Sequence, residues 1–183
     1  MSAFHNSFLC RLSSSHNILP FDCGNEDLND FLLNESKLFN DQLITVTYIL
    51  EKANQTLAFF SIMNDKISVE QFDDRIEYRM WITGAFPSGK HLSSYPAMKI
   101  ARLGVHRDYH RNEVGTNILD YLKILFITNN RTGCRFLTVD VYQEASEFYL
   151  KNGFEFLTSS DMNNETRLMY FDLFSVKQAL NVQ

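Results

Sequence analysis

The stretch with the clearest capacity for chemistry runs from Lys99 to Leu122. A strand-like run, Ala101-Arg102-Leu103-Gly104-Val105, feeds a polar loop that opens a long amphipathic helical pattern; the junction reads Tyr109-His110-Arg111-Asn112-Glu113-Val114-Gly115-Thr116. The first N–H groups of a helix have no acceptor within it and lie at the positive end of its dipole, so such a junction is a natural seat for a pyrophosphate. Gly115 lets a ligand come close to the main chain, and Thr116 adds a hydroxyl donor. Lys99, Arg102, Arg107 and Arg111 make this the most basic stretch of a chain with a formal net charge of −5, and local positive charge draws in an anionic nucleotide. The same residues also suit an ordinary strand–loop–helix connection with a solvated loop.

Other motifs lack their partners. His106-Arg107-Asp108 matches the kinase catalytic-loop tripeptide, but the Asn and the Asp-Phe-Gly that should follow are missing. His106 and His110 have the four-residue spacing of a zinc-binding helix, yet no Glu follows the first His and no third ligand stands out. Cys10, Cys23 and Cys134 are widely spaced, with no metal-type or redox-type pairing. The expectation is therefore no metal and no redox-active cysteine. Trp81 with Tyr78, Phe86 and Tyr95 suits either an acceptor pocket or plain core.

The chain that must position these residues has 183 residues, 45% of them hydrophobic and 14% aromatic, enough for one sizeable core. Gly and Pro are scarce and no repeat or composition shift marks a boundary, so a single domain over 1–183 is expected. The acidic balance argues against nucleic acid as an obligatory partner, because a phosphate backbone is usually met by excess Lys and Arg. No signal-peptide pattern and no membrane-length apolar run occur, and with unpaired cysteines a reducing cytoplasm is the simplest compartment.

Phe8 to Leu12 reads as a short strand, and a turn over residues 22–27 leads into a helix with Leu28, Phe31, Leu32, Ser36 and Phe39 on its buried stripe. Leu43 to Leu50 and Thr56 to Met63 read as a hairpin about Asn54-Gln55. A helix near Val69–Met80 and loop signals at Pro87, Gly89 and Ser93-Ser94 follow. The strand with Ile100, Leu103 and Val105 precedes the polar loop and a helix from Val114 to Phe126. Phe136 to Val141 reads as a strand, Glu144 to Lys151 as a short helix capped by Asn152-Gly153, and Phe154 to Leu157 and Arg167 to Leu173 as closing strands. This is an α/β pattern around one mixed sheet.

Four pieces of this order resemble the Gcn5-related N-acetyltransferases. Residues 110–116 are similar to the family's pyrophosphate signature, Gln/Arg-x-x-Gly-x-Gly/Ala, with His110 or Arg111 near the first position and Gly115 at the last; Glu113 stands where the family has its middle Gly. Phe21-Asp22-Cys23-Gly24 followed by Leu28-Asn29-Asp30-Phe31-Leu32 resembles the start of a subgroup that includes acetyltransferase toxins of toxin–antitoxin pairs. Ala101 to Val105 resembles its Arg-Leu-Ala-Val strand. Ala145-Ser146-Glu147-Phe148-Tyr149 with Asn152-Gly153-Phe154 resembles the family's Ala-x-x-Phe-Tyr…Gly-Phe element.

The resemblance implies an acyl-CoA N-acyltransferase fold, a central mixed sheet of about six or seven strands flanked by helices, and acetyl-CoA as donor. The pantetheine arm would pair with the main chain of Leu103, Gly104 and Val105, and the pyrophosphate would lie over His110, Arg111, Asn112, Glu113, Val114, Gly115 and Thr116. Tyr149 would protonate the leaving thiolate; its plainer reading is one half of a core aromatic pair. Glu144, Asp140, His106 or a water chain would serve as base. The implied activity is acetyl transfer to an unknown primary amine by direct attack in a ternary complex, and a homodimer is compatible with the chain. Two alternatives stand beside it: an acyl-CoA-binding module with little catalysis, which Glu113 suggests, and a toxin-like enzyme acting on aminoacyl-tRNA beside an antitoxin.

Overall fold

The structure is a computed structural model that describes residues 7–86, 91–128 and 132–180. Pro87 and Gly89, read as loop signals, lie outside those residues. Seven strands form one mixed sheet in the order β1-β2-β3-β4-β5-β7-β6. They are β1 (Phe8–Arg11), β2 (Val46–Lys52), β3 (Gln55–Ser68), β4 (Ser94–Val105), β5 (Phe136–Tyr142), β6 (Glu155–Phe156) and β7 (Thr166–Asp172). The helices are α1 (Glu26–Asp30), α2 (Ser36–Asp41), α3 (Arg75–Ala85), α4 (Val114–Thr128), α5 (Ser146–Lys151) and α6 (Leu173–Leu180). The chain divides into two compact units, Met1–Met63 with Ile100–Leu122 and Asn64–Lys99 with Lys123–Gln183.

In the first unit β1, β2 and β3 are antiparallel neighbours, with Cys10 opposite Ile49 and Tyr48 opposite Phe60. Asn25 caps α1 by accepting from the Leu28 N–H at 3.0 Å. A π-helical turn, Phe31–Glu35, carries α1 into α2, and the buried Ser36 hydroxyl donates to the Leu32 carbonyl at 2.6 Å. The extra residue per π turn holds Phe31, Leu32 and Ser36 on one buried face. Leu12, Phe21, Phe31, Leu32, Ile49 and Phe59 form the core beneath it.

The second unit is built on β5 and β7, antiparallel from Phe136–Asp172 to Tyr142–Thr166, with β6 on the outer edge. The parallel ladder of β4 on β5 is short: Ala97, Met98 and Lys99 pair with Phe136, Leu137 and Thr138. Its core gathers Phe72, Tyr78, Ile82, Tyr95 and Phe136, with Trp81 and Phe86 packed against them. The aromatic set that could have lined an acceptor pocket is thus largely core.

Several boundaries differ from the sequence reading. The strand expected from Leu43 begins at Val46, because Ile44 N–H and Thr45 N–H still bond back to the Phe39 carbonyl and Leu43 takes φ +60° as the helix ends. The helix expected over Val69–Met80 is instead one 3-10 turn, closed by a Ser68–Gln71 capping box, followed by α3 starting after Asp74, whose carboxylate accepts from Ile76 and Glu77 N–H. Ser94, read as loop, begins β4, which is twelve residues long. The described residues end on α6 rather than a strand: Asp172 caps it through the Phe174 N–H at 2.9 Å.

Candidate functional site

The donor-site candidates all belong to the first unit, and β4 delivers them. Its ladder with β5 covers Ala97–Lys99, and Leu103, Gly104 and Val105 lie further along the strand. Gly104 has little room to vary. A Cβ there would sit 2.6 Å from Phe59 Cε1 and 3.3 Å from Phe21 Cζ, well inside contact distance. Gly104 packs directly on two buried rings.

The turn that precedes α1 is tied to the far end of β4. Asp22 Oδ1 accepts from Gly24 N–H at 2.8 Å and from Asn29 Nδ2 at 3.1 Å, while Asn29 Oδ1 accepts from Cys23 N–H at 2.9 Å. Arg107 donates to Asp22 Oδ2, and the Arg107 N–H reaches the Asp22 carbonyl at 3.0 Å. Gly24 takes φ +82°, a conformation that favours glycine. This is the physical content of the Phe-Asp-Cys-Gly motif: it clamps the start of the loop that leads into α4. Cys23 is buried inside the clamp and burial pushes its thiol up, so it serves structure rather than nucleophilic chemistry. Asp22 and Asn29 were not singled out as site residues, and their signal in the sequence was the motif itself; Arg107 was counted only toward the basic stretch.

The loop from His110 to Glu113 is the most unusual backbone in this unit. Arg111 and Glu113 adopt φ +61° and +60°, the left-handed region that costs a residue with a Cβ about 1 kcal/mol or more. The position where the signature expects glycine is left-handed here with a glutamate in it. Two left-handed residues within three positions turn the chain sharply just before α4. The first bond within α4 runs from Asn117 N–H to the Glu113 carbonyl at 2.9 Å, which leaves Val114, Gly115 and Thr116 N–H without an intrahelical acceptor. Val114 and Gly115 are buried, and Gly115 is an ordinary helical residue of α4, so its glycine provides space rather than a left-handed turn. Arg111, Asn112 and Glu113 are exposed.

The local electrostatics are weaker than the count of basic residues suggests. Lys99 pairs with Asp140 at 2.7 Å, Arg102 approaches Asp27 at 3.8 Å, and Arg107 pairs with Asp22. Arg111 alone of the four has no ion pair among the described residues. His110 is turned back, its Nε2 donating to the Val105 carbonyl at 2.8 Å. His106 is buried with both ring nitrogens engaged, by Gln55 at 2.9 Å and the Asp108 N–H at 3.2 Å, the arrangement of a structural histidine. Asp140 is tied to Lys99 and Glu144 is exposed.

Tyr149 belongs to the second unit, on α5. It is 7% exposed and packs edge-on against Phe148 and Phe154, with ring centroids 5.1 and 5.3 Å away. Its carbonyl accepts from the Asn152 and Phe154 N–H groups, and Gly153 at φ +82° closes that turn. Among the described residues its hydroxyl makes no hydrogen bond, whereas a buried phenol usually finds a partner. Burial alone raises it far above the ordinary phenol range, so it stays protonated at any physiological pH.

Among the described residues, no helix is long and apolar enough to cross a membrane. The fold is that of several solved structures. AtaT in complex with acetyl-methionyl-tRNAfMet matches with a TM-score of 0.75 and 18% identity, over 95% of this chain and 99% of that one. AtaTR bound with AcCoA matches with a TM-score of 0.75 and 17% identity, over 96% and 99%. A mutant of KacT matches with a TM-score of 0.76 and 18% identity, over 95% and 99%. Residues 46–156 match the acetyltransferase (GNAT) domain, and that span takes in β2 to β6 and the whole loop before α4. With well over half of its length inside that match, the chain belongs to the acetyltransferase (GNAT) family.

Proposed function

We propose that this protein transfers an acetyl group from acetyl-CoA to a primary amine by direct attack in a ternary complex. The observation that carries the reading is the loop 110–116: two left-handed residues and three N–H groups with no acceptor within the helix meet where the family signature places the pyrophosphate. Arg111, the cation there without an ion pair among the described residues, is the natural partner for a phosphate oxygen. The pantetheine amides would pair with the main chain of Leu103 to Val105, in the manner of an added strand.

In this reading the amine nitrogen attacks the thioester carbonyl and the tetrahedral intermediate collapses with cleavage of the C–S bond. The departing thiolate takes the phenolic proton of Tyr149, which solvent later restores, and the amine loses its own proton to a base or a water chain. Tyr149 is 7% exposed and its hydroxyl makes no hydrogen bond among the described residues, which supports that role better than a purely structural one. The turnover experiment is direct: acetyl-CoA with small amines, peptides and aminoacyl-tRNA in parallel, following CoA release and acceptor mass. Acetylation of at least one amine class supports the proposal. Tight acetyl-CoA binding without turnover on any class points to a binding module.

A narrower reading takes aminoacyl-tRNA as the acceptor, whose α-amino group is itself a primary amine. Its support is the likeness to AtaT, solved with acetyl-methionyl-tRNAfMet, over 95% of this chain. The net charge of −5 weighs against it, since RNA usually asks for a basic groove. Preference for charged tRNA over the free amino acid in the same screen decides between the two.

A further inference from the structure

Away from the donor loop, β1 and β2 bring together three side chains that the sequence keeps far apart. Cys10 faces Ile49 across the β1–β2 ladder, so Glu51, two residues further along, is its diagonal neighbour on the same face of the sheet. The loop after β1 folds back, with the His16 N–H bonding to the Ser13 carbonyl at 3.1 Å, and lays the His16 ring beside them. His16 Nε2 lies 3.1 Å from Glu51 Oε1, and the ligand atoms of Cys10, His16 and Glu51 all fall within 4.8 Å of one another.

We propose that Cys10, His16 and Glu51 bind a divalent, borderline-soft metal ion such as Zn²⁺. A thiolate, an imidazole and a carboxylate are the mixed donor set that zinc accepts. With metal–ligand bonds of about 2.0–2.3 Å, the edges of a tetrahedral site are roughly 3.3–3.7 Å. The His16–Glu51 separation already sits near that edge, and the widest separation the trio allows needs about 1 Å of closure, within reach of side-chain rotation. All three residues are half-buried, so the ion has a route in and a water can complete its coordination. Thr56 Oγ1, 3.5 Å from Glu51 Oε1, helps to aim the carboxylate.

The charge balances. The thiolate and the carboxylate together carry two negative charges, cancelled by the ion. Binding displaces the Cys10 thiol proton to solvent, so one proton leaves per ion bound. Burial and the nearby Glu51 carboxylate both push that thiol up. The same trio as a cysteine–histidine nucleophile would need the opposite shift. The expectation of no metal rested on ligand spacing along the chain; these ligands become neighbours only through strand pairing. The ion would pin β1, the edge strand of the sheet, to the loop that leads into the Asp22 clamp. It takes no part in acetyl transfer.

The test uses the metal-free full-length protein and Co²⁺ as a spectroscopic substitute for Zn²⁺. Wild type should bind one equivalent with a thiolate-to-cobalt charge-transfer band, which Zn²⁺ then bleaches. Cys10→Ser should lose the band, while Cys23→Ser and Cys134→Ser keep it. Glu51→Gln should weaken Co²⁺ binding by about 10–100-fold. As a second measurement, Zn²⁺ should raise the melting temperature of wild type and Cys23→Ser but not of His16→Ala. A wild type with no band, a band that survives in Cys10→Ser, or an equal zinc shift in all variants overturns the proposal.

Discussion

Glu113 offers the most informative perturbation, because one residue carries two separable penalties. Its φ of +60° costs a side-chain-bearing residue about 1–2 kcal/mol. Glycine removes that strain but gives back about 0.5–1 kcal/mol in unfolded-chain entropy. Glu113→Gly should therefore stabilise the fold by about 0.5–1 kcal/mol, which for a chain of this size raises the melting temperature by about 1–4 °C. The second penalty is electrostatic. A carboxylate about 5 Å from a pyrophosphate in water costs roughly 1 kcal/mol after screening, so its removal should tighten acetyl-CoA binding about 5-fold. Glu113→Gln separates the two, since it removes the charge and keeps the strained backbone. Calorimetric titration and thermal melts of the three proteins form the assay: Gln should gain affinity alone, Gly both affinity and stability. If neither variant changes acetyl-CoA affinity, the pyrophosphate does not lie over this loop.

Tyr149→Phe should lower turnover by about 10²–10⁴-fold with acetyl-CoA affinity and melting temperature nearly unchanged, because no hydrogen bond among the described residues is lost; near-normal turnover would remove the acid role. Gly104→Ala should destabilise by about 1–3 kcal/mol, since the new methyl group meets the fully buried Phe59 ring, and a melt unchanged within error would show that β4 can shift there. Burial raises Tyr78, Tyr121, Tyr149 and Tyr170, the last to about 12. Above about pH 10 the unfolded chain loses phenolic protons that the folded chain keeps, so stability should fall from there upward through the folded values. Denaturation midpoints that stay level across that range would contradict the burial of these phenols.

What the sequence made legible follows from how local each signal is. The hairpin of β2 and β3, the strand β5, and α5 with its Gly153 turn all come from short-range patterns, and they stand close to where they were expected. The loop before α4 was legible as a motif, but its two left-handed residues were not: Arg111 and Glu113 are poor choices for positive φ, and only the surrounding structure imposes it. The apparent basic patch was misread because Asp22, Asp27 and Asp140, the acids that pair with Arg107, Arg102 and Lys99, come from other elements. Helix α6 was missed because Asp172 closes β7 and caps the helix at once, while also holding Arg135 through two 2.7 Å contacts. The Val69–Met80 region misled because its apolar residues have helical spacing while Ser68 and Asp74 divide it into two starts.

The central claim is that acetyl-CoA is held with its pyrophosphate against the start of α4. Calorimetric titration of acetyl-CoA into wild type, Gly115→Ala and Gly115→Val tests it most directly, with melting curves to show that each variant is folded. Gly115 is buried at the first turn of α4, where added bulk obstructs close approach of a ligand to the main chain. The account predicts stoichiometric binding to wild type, weaker binding to the alanine variant and none to the valine variant. Wild-type affinity in a folded Gly115→Val protein would contradict it.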